Sequence, residues 1–357
     1  MLNFAVPWNR SVPPALVVLV VMGVLMGVLS GVPPAHAASP GPLRILMTGD
    51  SITQGFHGDY TWRYRLWREF RRQRVSADFV GSRSGPVVGA GFGSSSYLDP
   101  NFDRGHYAQV GTLLQAQAGR IGREIRSQTP DMIVLACGVN DLRHGATPAQ
   151  AGQYLRNWID SARQAKPDVR MILALVLNAT DPQKPWLPQR IAEYNALVRT
   201  AAAELSTPLS PISVAETTRG WSVPTHTHDN LHPNPTGETL IAQRFAETFH
   251  RLGVLPQAPA LYRYTTWNRQ PRVRVVLRGR RAVLSWDSQA VSGVRVWMHR
   301  AGRRANFSAV IHRGSSLTTG RLARRSTYEF RVQLTRARMS TPLGYVTRIR
   351  VPRAHRR

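Results

Sequence analysis

Gly49-Asp50-Ser51-Ile52-Thr53 near the start of the chain and Asp229-Asn230-Leu231-His232 far downstream supply a hydroxyl, a carboxylate and an imidazole in the order Ser, Asp, His. A serine hydroxyl is a weak nucleophile near neutral pH. It becomes a strong one when an imidazole takes its proton and a carboxylate fixes the tautomer of that imidazole. Ser51, His232 and Asp229 are therefore the candidate catalytic residues of an acyl-transfer enzyme, a hydrolase. The tetrahedral intermediate of such chemistry also needs hydrogen-bond donors aimed at its oxyanion. The Ser51 N–H, the Gly111 N–H in His106-Tyr107-Ala108-Gln109-Val110-Gly111, and the Asn140 amide in Gly138-Val139-Asn140-Asp141 are the candidates.

The elements around these residues read as supports for them. Leu43-Arg44-Ile45-Leu46-Met47 is an apolar run of strand length directly before Ser51, and Met132 to Cys137 is a second one directly before Gly138. Both motifs then fall at the carboxyl ends of strands, where open α/β sheets bind ligands. Met171 to Val176 is a third such run. Between the runs lie helix-spaced segments. Asp59 can cap one that carries Tyr60, Tyr64, Trp67 and Phe70. Thr147-Pro148 opens another with Ala151, Leu155, Trp158, Ile159 and Ala162 on one face. Ile191 to Leu205 and Thr236 to Arg251 follow, with Gly253 past the end of the last. Strand and helix in alternation predict a mainly parallel sheet. Pro224, Pro233 and Pro235 argue that Asp229 and His232 share a shaped loop.

Four separated blocks resemble the SGNH, or GDSL-type, hydrolase family: Gly49-Asp50-Ser51, His106 to Gly111, Gly138-Val139-Asn140-Asp141 and Asp229-Asn230-Leu231-His232. Within the second block either Gly111 or Ala108 occupies the donor position. Thr61 to Trp67, Asp78-Phe79-Val80-Gly81 and Tyr194-Asn195 are similar to the carbohydrate-esterase branch. The resemblance implies a flavodoxin-like three-layer α/β sandwich over residues 43–252 and a carboxylic ester hydrolase with Ser51, His232 and Asp229 as catalytic residues. It also implies Ser51, Gly111 and Asn140 as the oxyanion hole, and an acylated carbohydrate as the ester substrate. The other functional readings are a lipid or short-chain acyl-ester hydrolase, and a wall-binding protein whose hydrolase domain is inert. His226 and His228 beside His232 raise a metal reading, because histidine clusters bind zinc. No second carboxylate at ligand spacing accompanies them, so no metal and no organic cofactor are expected.

The chain has 357 residues, enough for one α/β core and a smaller module. Arg10, the apolar stretch Ala15 to Val32 and Ala35-His36-Ala37 follow the order of a secretory signal peptide. Cleavage after Ala37 would make the protein secreted or cell-surface, and a retained N-terminal anchor is the alternative. Cys137 is the single cysteine, which excludes an internal disulfide. Residues 253–270 lack periodicity and read as a linker. Beyond them, alternating runs such as Ala282 to Trp286 and Tyr328 to Val332 predict a small all-β sandwich over residues 271–353, similar to fibronectin type III domains. From residue 260 onward there are 23 Arg, no Lys and two acids, so that this part carries +21 of the chain's net +27. Such a field suits a polyanion, here an anionic cell-wall polymer, as partner, while an exported chain argues against a specific nucleic acid.

Overall fold

The computed structural model describes residues 41–88, 96–261, 270–286, 293–302, 310–312, 314–336 and 339–353. Pro42–Arg357 form one compact unit. The expected signal peptide lies outside the described residues. Among those described, no helix is long and apolar enough to cross a membrane.

β1 (Leu43–Gly49) is the axis of a parallel sheet. It pairs with β2 (Ala77–Val80) on one side and β4 (Met132–Ala136) on the other, and its last two residues also pair with the short β3 (Tyr107–Ala108). β5 (Arg170–Ala174) and β6 (Ile212–Ala215) complete the order β2-β1-β4-β5-β6. Alternate residues of a strand point to opposite faces, and a parallel sheet is covered on both. Leu46, Ile133, Leu135, Met171 and Leu173 accordingly pack against α6 (Pro148–Ala165) and α7 (Leu187–Leu205). Ile45, Met47, Met132, Val134 and Ile172 pack against α2 (Thr61–Arg72) and α9 (Pro235–Arg251). This is the three-layer α/β sandwich expected from the sequence.

The helix ends follow local chemistry. Thr147 and Gln150 form a reciprocal capping box before Pro148, and all five apolar residues read onto that helix are buried. α9 begins at Pro235, one residue ahead of its periodic pattern, because the Asn234 side chain accepts from the N–H groups of Thr236 and Gly237. α2 departs from expectation. Asp59 does not cap it: the residue at the cap is Tyr60, with no side-chain cap bond, and the Asp59 carboxylate accepts the adjacent Tyr60 N–H while facing Arg336. Trp62 and Leu66 are fully buried on this helix, whereas Tyr60 and Tyr64 are half-buried.

The described part of the segment after α9 lies against the α/β layers. Leu255 joins their core, and the Leu261 N–H donates to Gln243 Oε1 at 2.7 Å. Beyond it come two antiparallel sheets. β7 (Val273–Arg278), β8 (Arg281–Trp286) and β11 (Ser316–Thr318) make one. β9 (Gly293–Arg300), β10 (Val310–His312), β12 (Thr327–Arg336), β13 (Met339–Ser340) and β14 (Thr347–Arg350) make the other. Ala282, Leu284 and Trp286 of the first sheet meet Tyr328, Phe330 and Val332 of the second in a core of their own.

Candidate active site

Ser51 opens the one-turn helix α1 (Ser51–Gln54) at the carboxyl end of β1. Gly49 permits the approach of the next strand: a Cβ there would lie 2.4 Å from the Ala136 carbonyl oxygen. Asp50 caps α1 by accepting the Ile52 N–H at 3.0 Å. Its carboxyl is buried above an apolar cavity of about 30 Å³ lined by Ile52, Trp62 and Cys137 among others. Burial pushes its pKa up to about 6 against the lowering effect of the Ile52 amide and of His232.

His232 comes from the loop between α8 (Val223–His226) and α9. Its Nε2 lies 2.9 Å from Ser51 Oγ, and its Nδ1 lies 2.7 Å from Asp229 Oδ2. The loop is shaped by Asp229 itself, whose other oxygen accepts the N–H groups of Leu231 at 3.1 Å and His232 at 2.7 Å. Asn230 takes a left-handed φ of 67° between them, a conformation that asparagine tolerates better than most residues. Burial alone would raise the Asp229 carboxyl; the hydrogen bond and charge of His232 and the backbone amide outweigh it and hold the group well below the usual carboxylate range. An ionised Asp229 favours the tautomer with the proton on Nδ1, which leaves Nε2 to accept from the Ser51 hydroxyl. The ring of Phe56 meets that of His232 edge-on, with centroids 5.2 Å apart.

Asn140 lies in α5 (Val139–Arg143), which starts directly beyond β4, and its Nδ2 donates to the Thr112 carbonyl at 3.2 Å. That bond ties the Asn140 amide to the segment carrying Ala108 and Gly111. Ala108 is buried at the end of β3 as the register partner of Gly49, and Gly111 is exposed three residues on, with φ 74°. Gly111 opens onto a cavity of about 240 Å³ that Arg83 and Arg120 flank. His106 fixes the start of this segment. Burial, then the charge of Arg63, lowers its pKa to about 2, so the ring is neutral, with Nε2 donating to the Gly85 carbonyl and Nδ1 accepting the Ala108 N–H.

His228, Asp229 and His232 each offer a ligand atom within 4.8 Å of the others and could hold a metal ion, although Asp229 Oδ2 and His232 Nδ1 are bonded to each other. His226, in contrast, bonds the backbone of Ser222. Sequence reasoning missed Gln54, whose Oε1 accepts the Val110 N–H at 2.8 Å, and Phe56. Neither follows a helical or strand period, and only their nearness to Ser51 in the chain could have pointed to them.

A parallel sheet of this order, with Ser51, His232 and Asp229 hydrogen-bonded at its carboxyl edge, agrees with the SGNH class of α/β ester hydrolases. The chain belongs to the GDSL-like lipase/acylhydrolase family, whose model matches residues 47–240. It is similar to a multidomain esterase of Ruminococcus flavefaciens, 23% identical over 231 residues, and it spans 29% of that relative's length. Its fold is similar to that of an acetyl esterase solved as a serine-to-alanine mutant with acetate ion, at TM-score 0.51 and 22% identity, over 59% of this chain and 97% of the other. A carbohydrate esterase family 3 structure from Talaromyces cellulolyticus matches with the same TM-score, identity and coverage.

Proposed function

We propose that the protein is an exported serine esterase that removes acetyl or similarly short acyl groups from a carbohydrate through an acyl-enzyme. The observation that carries this reading is the continuous relay from Ser51 Oγ through His232 to Asp229, at 2.9 and 2.7 Å. Ser51 Oγ attacks the ester carbonyl as His232 Nε2 takes its proton, and Asp229 stabilises the imidazolium. The negative charge on the carbonyl oxygen is met by the Ser51 N–H, the Asn140 amide and the Gly111 N–H, the Ala108 N–H being bonded to His106 Nδ1. His232 then gives its proton to the departing sugar hydroxyl. Next it takes one from water, which cleaves the acyl-enzyme and releases the acid.

The acyl and sugar assignments draw on likeness to an acetyl esterase and to a family 3 carbohydrate esterase. For the C-terminal sheets the fibronectin type III reading gains support from Tyr328, whose hydroxyl accepts the Ala323 N–H at 3.0 Å, the contact of a tyrosine corner. With its arginines this module suits an anionic wall polymer as the carrier of the ester. Ser51→Ala tests the reading: nearly all turnover and all labelling by a fluorophosphonate probe are expected to vanish. Wild-type ester hydrolysis by that variant would reject the mechanism. Acetate release from acetylated polysaccharides is expected to exceed hydrolysis of long-chain nitrophenyl esters; the reverse preference would transfer the assignment to lipids.

A further inference from the structure

Four charged side chains meet where the β sheets adjoin the α/β layers, three of them buried and Arg65 partly exposed. Arg336, the last residue of β12, is 1% exposed, and its Nε lies 3.0 Å from Oδ1 of Asp59, itself 2% exposed. Its guanidinium also sits 5.3 Å from the Tyr60 ring centroid. Arg65 of α2 reaches Glu238 of α9 at 3.5 Å. Burial and the neighbouring Asp59 drive the Glu238 carboxyl well above its ordinary range, while burial and Arg336 lower Arg65. The four groups thus form one cluster, to which the C-terminal module contributes a single member.

The place of this cluster gives it a catalytic consequence. Asp59 stands just before α2, and α2 is fastened to the helix of Ser51: Trp62 Nε1 donates to the Ile52 carbonyl at 3.1 Å, and Arg63 Nε donates to that of Thr53 at 2.7 Å. Glu238 lies in the first turn of α9, the helix that Asn234 caps directly after the loop bearing His232. α2 and α9 pack together, with Trp62 stacked on Phe245 at 4.5 Å. The Ser51-bearing and His232-bearing segments are thus both tied to the α2–α9 junction, and Arg336 fills the charged corner of that junction from another sheet. A buried charge that loses its partner must find a proton or reach water, and either outcome moves the helices that carry it.

We propose that Arg336 is a positioning residue: from the C-terminal module it pairs with the buried Asp59 carboxylate beside Glu238 and so holds the Ser51-bearing and His232-bearing segments at hydrogen-bonding distance. The proposal rests on the serine-esterase reading for its kinetic readout but not for its structural one.

The test compares the full chain with Arg336→Met, Arg336→Lys and the pair Arg336→Met with Asp59→Asn, on nitrophenyl acetate well below the melting temperature. For Arg336→Met the expected result is a kcat roughly ten- to a hundredfold lower at nearly constant KM, the range that an ångström-scale displacement of reacting groups produces. Lys at 336 restores part of the loss. Asp59→Asn restores part of it too, by removing the stranded charge while keeping an oxygen for the Tyr60 N–H. A wild-type kcat in Arg336→Met, or a loss that neither Lys nor Asp59→Asn relieves, overturns the proposal. Calorimetry of the wild-type chain covers the case in which Arg336→Met does not fold: one cooperative transition is expected, and two well-separated ones overturn the clamp. If Ser51→Ala retains turnover, the esterase reading fails, and calorimetry still judges Arg336.

Discussion

Replacing Asp229 by Asn leaves the volume of the side chain unchanged and removes only its charge and one acceptor, so it isolates what that carboxylate does. The carboxamide oxygen can still accept the N–H groups of Leu231 and His232 that Asp229 Oδ1 holds, and the loop keeps its shape. The amide nitrogen then occupies the place of Oδ2, 2.7 Å from His232 Nδ1, with a donor facing a donor. The imidazole answers by moving its proton to Nε2, where it can no longer accept from the Ser51 hydroxyl 2.9 Å away. A wrong tautomer and an unstabilised imidazolium together cost roughly a thousand- to ten-thousandfold in kcat in a Ser-His-Asp enzyme, about 4 to 5.5 kcal/mol of barrier. Stability responds differently. The Asp229 pKa is depressed in the folded protein, so its contribution is present above the unfolded carboxylate value and is lost as the pH falls through the folded one. The side chain is 43% exposed and solvent-screened, which keeps that contribution at about 1 kcal/mol or less. At neutral pH Asp229→Asn is thus expected to melt within a few degrees of wild type while kcat on nitrophenyl acetate collapses. Turnover within tenfold of wild type in a folded variant would refute the assignment of Asp229 as the orienting carboxylate.

Asn140→Ala removes one oxyanion donor and is expected to lower kcat by roughly a hundred- to a thousandfold with little change in KM; an unchanged kcat would exclude the Asn140 amide from the oxyanion hole. Asp50→Asn keeps an acceptor for the Ile52 N–H but no longer needs a proton when buried. Because burial raises the folded pKa of Asp50 to about 6, the wild type is penalised progressively above the unfolded value, and the variant is expected to gain up to about 3 kcal/mol above pH 6 and nothing near pH 4 in denaturant titrations. Equal stability of the two proteins at pH 8 would show that Asp50 carries its charge without cost. Dialysis against a chelator is expected to leave acetate release unchanged, and a loss restored by zinc would instead assign His228, Asp229 and His232 to a metal. Trp158→Ala, deep between α6 and the sheet with its Nε1 bonded to Gln117 Oε1, is expected to destabilise by about 3 to 5 kcal/mol in denaturant titrations without changing the acyl-chain preference of the remaining folded enzyme.

What the sequence made legible was whatever is written in local period or local chemistry. The apolar runs Leu43 to Met47 and Met132 to Cys137 mark strands because a strand covered on both faces is largely apolar, and Thr147-Pro148 starts a helix because cap and proline act within one turn. The places of Ser51, Asn140, Asp229 and His232 in the fold were legible for a related reason: each follows such an element or sits in a proline-marked loop. Asp59 was misread because its local signal, an acid before a helical pattern, is overridden by a partner 277 positions away in the chain. No window of sequence contains that partner. His106 shows the same limit from the other side. Its role as a neutral bridge between Gly85 and the Ala108 amide depends on burial, which no spacing announces. Long-range polar contacts of this kind carry little pattern, because a buried charge needs only one counterpart of fitting geometry wherever the fold brings it. The residues proposed to perform the chemistry and those proposed to hold it in place are therefore readable to different depths. Arg336 belongs to the second kind: one arginine among 23 in a basic tail, set apart only by the acids it meets.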